Sequence, residues 1–284
     1  MDKYRPKVNI IILNYKSYEL TISEIKNIED TIEYDGLEIV IVDNNSPNES
    51  YNIIDSFLQK NQLKFNYTLL KSNSNNGYAS GNNIGLNASI NRGAKYSLVI
   101  NNDIIFSSPN TIMNLVNYLD GHDDVGIISP RIEGIDGYHD KPIYYKKPSF
   151  YDMTIGLRAF MKTRLKQNDE MVYEVYAPRG SCMMIRNDAL EKIGLLDEGT
   201  FLYYEEPILA ERMLKNGMKT VHYGKEYVIH NHAKTISSNI TQKKNRVIVV
   251  QSMDYYLKKY RKFNVFERMI CRFVRKYAYL ISHK

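Results

Sequence analysis

Cysteine is scarce in this sequence. Cys182 and Cys271 lie far apart with no second cysteine near either, which argues against a disulfide framework or a zinc cluster and suits a reducing compartment. Long apolar runs are missing as well: no stretch of ~18 apolar residues occurs, so no spanning helix is expected. The opening "MDKYRPK" leads straight into a strand-like segment without the form of a secretory signal. These absences predict a protein kept in the cytosol, and N-x-S/T sequons such as those at Asn48, Asn66, Asn87 and Asn239 then read as chance matches in an Asn-rich chain. Neither G-x-G-x-x-G nor G-x-x-x-x-G-K-S/T can be fitted, which weakens the hydride-transfer and P-loop readings. Acidic charge is sparse at one end: residues 241–284 carry 12 Lys/Arg against Asp254 and Glu267, so the net charge of +6 belongs to the tail and about −4 is left for the rest.

The 284 residues, 43% of them hydrophobic, suffice for one main domain with an appendage. "KVNIIILNY" and "LEIVIVDNNS" are β-branched runs ending in Asn, Asp and Ser, the pattern of buried parallel strands whose carboxyl ends open into loops. Between them "SYELTISEIKNIEDTI" has helical spacing. A helix near 51–59, a strand in "FNYTLLKS", a Gly/Asn loop, a helix over 84–91 and the strand "YSLVINNDIIF" continue the alternation. That order predicts an α/β, doubly wound sheet with ligands beyond the strand carboxyl ends. Further on come a helix "PNTIMNLVNYLD", a strand "VGIISPRI", a loop-like section over 133–177, a strand "GSCMMIR", a helix "DALEKIG" and a strand around "KTVHYGKEYVIHNH".

Several clusters carry chemistry. Asp43 closes a buried strand, either as a turn former or as the acid that meets a nucleotide's base or ribose. In "NNGYASGNNIG" the small residues permit close approach of backbone to a ligand, and a helix starting near Asn82 would aim N–H groups at an anion; a plain Gly/Asn turn is the alternative. Asp103, set among apolar residues in "LVINNDIIF", needs a partner. A divalent cation on diphosphate oxygens is one, and a salt bridge to Arg179 or Arg131 another. His230 and His232 alternate on a strand and are weak metal evidence until Asp103 joins them. Glu205 and Glu206 precede Pro207, which fits the first position of a helix running to about Asn216. If the chain there is extended, only one of the two faces a substrate.

Taken in order, "NIIILNYKSYELT", "IVDNNS", "NNGYASGNNIG", "LVINNDIIF", the segment from "RGSCMMIR" to "EEPILAERMLKNG" and "VIHNHAKTIS" resemble the family-two inverting glycosyltransferases of GT-A fold, in particular the rhamnosyltransferase-like branch of bacterial surface-polysaccharide synthesis. The likeness covers roughly residues 7–240. It implies a mixed sheet with helices on both faces over 1–240, while the charge and periodicity of 241–284 predict a basic amphipathic helical extension. It further implies that Asn14, Tyr15 and Asp43 cradle a pyrimidine nucleotide, with Asn75, Gly77, Asn82 and Asn102 nearby, and that Asp103 and His230 hold Mn²⁺ or Mg²⁺. The family's first metal-motif acid is Asn101 here. The family's Glu-Asp pair is matched by Glu205 and Glu206, and a later family acid is replaced by Ile208.

These matches imply sugar transfer with inversion from a UDP- or dTDP-sugar to a glycan or lipid-linked acceptor, with Glu206, ahead of Glu205, as base. The tail repeats apolar residues at Phe266, Ile270, Phe273, Tyr277 and Leu280 with Arg268, Arg272, Arg275 and Lys276 roughly opposite. That suits a peripheral contact with an anionic membrane, or packing on the main domain or a second subunit; no nucleic-acid motif accompanies it. The competing readings are an inactive nucleotide-sugar-binding or scaffold protein, motivated by Asn101 and Ile208, and a sugar nucleotidylyltransferase.

Overall fold

The computed structural model describes residues 5–155, 171–231 and 242–281. In chain order the strands are β1 (Val8–Asn14), β2 (Leu37–Asp43), β3 (Asn66–Lys71), β4 (Tyr96–Asn101), β5 (Ile104–Phe106), β6 (Val125–Gly134), β7 (His139–Asp140), β8 (Val172–Val175), β9 (Cys182–Arg186) and β10 (Lys219–His230). The helices are α1 (Tyr18–Thr31), α2 (Ser50–Lys60), α3 (Tyr78–Asn91), α4 (Thr111–Asp120), α5 (Asn187–Ile193), α6 (Glu205–Lys215), α7 (Gln242–Lys259) and α8 (Val265–Ile281).

One sheet runs β3-β2-β1-β4-β9-β6-β10-β5, with β7 on β6 and β8 on β10. Strands β3, β2, β1 and β4 are mutually parallel, and β9 runs against both β4 and β6. The sheet is therefore mixed, as expected. Because side chains alternate across a strand, β1 sends Ile10 and Ile12 into the layer with Ile25, Ile28 and Ile112 of α1 and α4. Ile11 goes to the opposite layer, with Leu86, Leu190, Leu209 and Met213 of α3, α5 and α6. Burial on both faces is why these strands read as nearly unbroken apolar runs.

Three expectations are corrected. "YSLVINNDIIF" is two strands: β4 lies mid-sheet, and β5 crosses to the far edge to pair antiparallel with β10, so Asp103 occupies the turn between them. Helix α3 starts at Tyr78, well before 84, and Asn82 lies in its second turn. A Cβ on Gly81 would come within 2.6 Å of Leu13 and one on Gly85 within 2.5 Å of Ile11, so these glycines serve close helix-on-sheet packing. Third, the section over 133–177 includes β7 and β8, two short strands that draw it onto the sheet.

The C-terminal helices pack on α6. Tyr204 and Ile208 share a buried cluster with Met153, Val249, Met253, Tyr256, Leu257 and Cys271. Below it, Glu211 accepts from Tyr176 Oη (2.8 Å) and Lys147 Nζ (2.8 Å), with Arg261 Nε at 3.3 Å. The domain boundary expected at residue 240, His232 and the sequon at Asn239 lie outside the described residues. Among the described residues no helix is long and apolar enough to cross a membrane.

Candidate active site

A cleft of about 630 Å³ opens along the carboxyl ends of β1, β2 and β4 and is closed on its other side by α6, α7 and α8. It is lined by eight of the residues expected from sequence: Tyr15, Asn75, Gly77, Asn102, Asp103, Glu205, Glu206 and His230. Asn14, Asp43 and Asn82 do not line it. Asp43 is buried behind the wall, where it accepts from Asn14 Nδ2 (2.7 Å) and from the backbone N–H of Ser46 (2.8 Å). Asn14 Oδ1 in turn accepts from Thr21 Oγ1 (3.0 Å), which accepts from Asn102 Nδ2 (3.0 Å). This relay fixes the three strand ends relative to one another. Asn82 donates to the carbonyl of Tyr78 within its own helix.

The loop before α3 is tied in both directions. Asn44 Nδ2 donates to Asn75 Oδ1 (3.1 Å) and to the Gly77 carbonyl (3.3 Å). Gly77 has φ +108°, and a Cβ there would stand 2.2 Å from the Phe201 carbonyl oxygen, so only glycine fits. The Tyr78 N–H donates to that same carbonyl (2.9 Å) and Tyr78 Oη donates to the carbonyl of Gly180 (3.1 Å). Strand-end loop and glutamate loop are thereby held together.

Helix α6 begins at Glu205, so Pro207 is its third residue rather than its first. It remains in the first turn, where N–H groups lack intrahelical partners, so its missing donor costs nothing. The glutamates are therefore helical, about 100° apart rather than opposed, and both line the cleft. Tyr203 (φ 73°) and Tyr204 (φ 71°) before them are left-handed, a backbone cost of roughly 1–3 kcal/mol each that the surrounding packing sustains.

The two acids differ in their partners. Glu205 is buried and its Oε1 makes no hydrogen bond; burial, then the neighbouring Glu206 charge, push its carboxyl far up. Glu206 is half-buried and its Oε1 accepts the Gly180 N–H at 3.1 Å. Burial raises its pKa too, opposed by backbone N–H groups and the Arg179 guanidinium. Burial and the neighbouring charge thus favour the protonated form more at Glu205 than at Glu206, whose ionised form the Gly180 N–H and the Arg179 guanidinium support. Ile208 does not line the cleft; it is 1% exposed in the cluster that seats α7.

Asp103 is met by His230, whose Nε2 lies 3.1 Å from Oδ1, while His230 Nδ1 faces Asp140 at 3.5 Å. Burial pulls the imidazolium down, but hydrogen bonds to Asp103 and Asp140 outweigh it and push the pKa up to about 9. The arginines expected as alternative partners go elsewhere: Arg179 Nη2 to Asp140 (3.0 Å) and Arg131 to Glu133 (2.7 Å). Among the described residues no group of three or more His, Cys, Asp or Glu is placed to hold a metal by itself. With its Nε2 proton released to make way for a cation, His230 would stand with Asp103 as adjacent imidazole and carboxylate donors, a set that fits an ion shared with substrate phosphates rather than caged by protein.

Sequence reasoning missed Asp140, Gly180, the backbone of Phe201, and Lys244, Asn245, Val249 and Arg275 of the C-terminal helices, all of which line the cleft. Asp140 stood in a Tyr/Lys/Pro stretch that reads as loop. For the helices the available signals were the basic character of the tail and its apolar spacing.

The model of glycosyl transferase family 2 matches residues 9–194. The chain belongs to this family. The match ends before Glu205, so α6, α7 and α8 lie beyond it. A relative, the low-salt glycan biosynthesis hexosyltransferase Agl10 of Haloferax volcanii, is 32% identical over 206 residues, 70% of this chain and 59% of that protein. The chain thus spans about three-fifths of that relative's length. Among solved structures, the mannosyltransferase PcManGT of Pyrobaculum calidifontis with GDP-Man and Mn²⁺ superposes at TM-score 0.66, with 16% identity, 90% of this chain and 66% of that one. TarS 1-349 of S. aureus with UDP-GlcNAc gives 0.56, with 12% identity, 90% of this chain and 74% of that one. At these identities the likeness shows the fold, a GT-A glycosyltransferase sheet.

Proposed function

We propose that the protein is an inverting glycosyltransferase that moves a sugar from a UDP- or dTDP-sugar to a hydroxyl of a glycan acceptor, with Glu206 as base. The observation that carries this is the Glu206 carboxylate held on the Gly180 N–H beside Arg179, across the same cleft as Asp103 and the Gly77 loop. Glu206 takes the acceptor's hydroxyl proton as that oxygen forms its bond to the sugar's anomeric carbon. The bond from that carbon to the diphosphate breaks on the opposite face, and its electron pair leaves with the nucleoside diphosphate, which inverts the centre. Glu205, kept protonated by burial, has capacity to hydrogen-bond a sugar hydroxyl. Asp103 and His230 would hold Mn²⁺ or Mg²⁺, which supplies positive charge to the departing diphosphate. Ile208 packs in the core away from the cleft, so its replacement of an acid does not support an inactive scaffold.

The acceptor in this reading is lipid-linked, and the protein meets it peripherally at the inner face of the plasma membrane. Helix α8 supports the contact: Val265, Phe266, Met269 and Phe273 are exposed on it, beside exposed Lys262, Arg272 and Lys276. Cations flank these exposed apolar side chains, and such a surface complements anionic lipid.

The test is to incubate the protein with Mn²⁺ or Mg²⁺ and UDP-, dTDP- and GDP-sugars, with and without a membrane lipid extract, and measure released nucleoside diphosphate. Release stimulated by the extract is expected with a UDP- or dTDP-sugar; pyrophosphate formed from a sugar phosphate and a triphosphate would support a nucleotidylyltransferase instead.

A further inference from the structure

We propose that the C-terminal helices build a subsite for a phosphate or diphosphate group of the acceptor, with Lys244 of α7 and Arg275 of α8 as its cations. The inference rests on the glycosyltransferase reading above and deepens it, since it assigns the acceptor class to named residues outside the matched family segment of 9–194.

Both cations line the cleft that holds Glu206 and Asp103. Their wall is anchored on the glutamate side. Val249, which also lines the cleft, packs in one cluster with Tyr204 and Ile208, the residues that flank Glu205–Pro207. The wall therefore stands where an acceptor must lie for its hydroxyl to reach Glu206. Opposite it, the strand-end side presents Tyr15, Asn44, Asn75 and Gly77, so a nucleotide bound there leaves the helical wall for a second ligand.

Helix α8 is turned with its inner side to this wall. Cys271 is fully buried, and Arg275 lies four residues on, over the same face. Arg268 and Arg272 of the same helix turn to Asp254 at 3.1 and 2.5 Å, whereas Arg275 lines the cleft. Asn245, next to Lys244, has a buried Oδ1 that makes no hydrogen bond, a place for a hydroxyl of the sugar that carries the phosphate. A guanidinium and an ammonium on one wall suit a group with two or more anionic oxygens. The outer side of the same helix bears Phe266, Met269 and Phe273, so a lipid tail and its phosphate would meet opposite sides of one helix.

The experiment is calorimetric titration of the full chain, first saturated with UDP so that the donor side is filled, with geranyl diphosphate, glucose 1-phosphate or geraniol. Geranyl diphosphate is expected to bind beside UDP, and geraniol is expected not to. The pair Lys244→Gln with Arg275→Gln should weaken geranyl diphosphate by about tenfold or more, and the charge-keeping pair Lys244→Arg with Arg275→Lys should retain it within about threefold. Lys244→Gln alone, at an exposed helix position, gives a part of the loss in a protein whose folding is not at issue. Stronger binding of geranyl diphosphate than of glucose 1-phosphate would assign a lipid-linked source, and the reverse a soluble sugar phosphate. Unchanged affinity in the Gln variants, or displacement of UDP one for one, would overturn the subsite. Failure of the chain to bind either UDP or GDP would instead overturn the underlying reading.

Discussion

On the β1–β4 side the wall of the cleft is the Asn44–Asn75–Gly77 loop, backed by the buried Asp43–Asn14–Thr21–Asn102 relay of short polar side chains. On the α6–α8 side the wall is held from behind by long side chains paired across large sequence distances, with Tyr176 Oη on Tyr256 Oη (2.7 Å) and on Glu211. The first wall is set by where neighbouring strands end; the second is set by how separate helices dock. The difference implies a seat fixed by neighbouring strands on one side of the cleft, facing a wall assembled from separate elements of the chain on the other.

Gly180 joins the two walls, and substituting it is expected to have the largest effect. A Cβ there would sit 2.5 Å from Glu206 Oε1, the movable end of a side chain, so Gly180→Ala should fold yet displace the carboxylate. Turnover should fall by roughly 10²-fold or more, read by nucleoside diphosphate release, with circular dichroism unchanged.

Cutting the helical wall loose comes next. Glu211→Ala would leave Arg261 and Lys147 without their shared carboxylate, a loss on the order of 3 kcal/mol for a buried pair broken on one side. Urea unfolding measures it, and nucleotide affinity should hold because the strand-end wall is untouched.

The paired acids give a pH-dependent effect of opposite sign. The Glu205 pKa is raised in the fold by burial and Glu206, so the folded chain binds that proton more tightly than the unfolded one. The resulting stability is fully present below the unfolded carboxyl value of about 4.3 and is lost as pH rises through the folded pKa. Glu205→Gln should therefore raise the melting temperature near pH 8 and change it little near pH 4, by differential scanning calorimetry.

The smallest effect is expected at Arg272, whose pairing with the half-buried Asp254 is duplicated by Arg268. Arg272→Ala should cost less than about 1 kcal/mol in urea unfolding.

Legibility in the sequence followed the same division. Strands β1, β2 and β4 declared themselves by β-branched runs, and their ends by Asn and Asp, because parallel strands buried on both faces leave that local pattern. Asp103, His230 and the two glutamates were found through motif order. What escaped was three-dimensional in origin: β5 leaving β4 for the far edge, Asp140 brought to His230 by β7, and α7 and α8 brought to the cleft by Ile208. Ile208 itself read as a missing acid and proved to be the packing residue that seats the second wall.

The central claim is that Glu206 takes the acceptor's proton, and the direct measurement is turnover beside nucleotide affinity in Glu206→Gln. The account predicts turnover lowered by roughly 10²- to 10⁴-fold with the dissociation constant for UDP within about threefold of the unsubstituted protein. Full turnover in Glu206→Gln would contradict it.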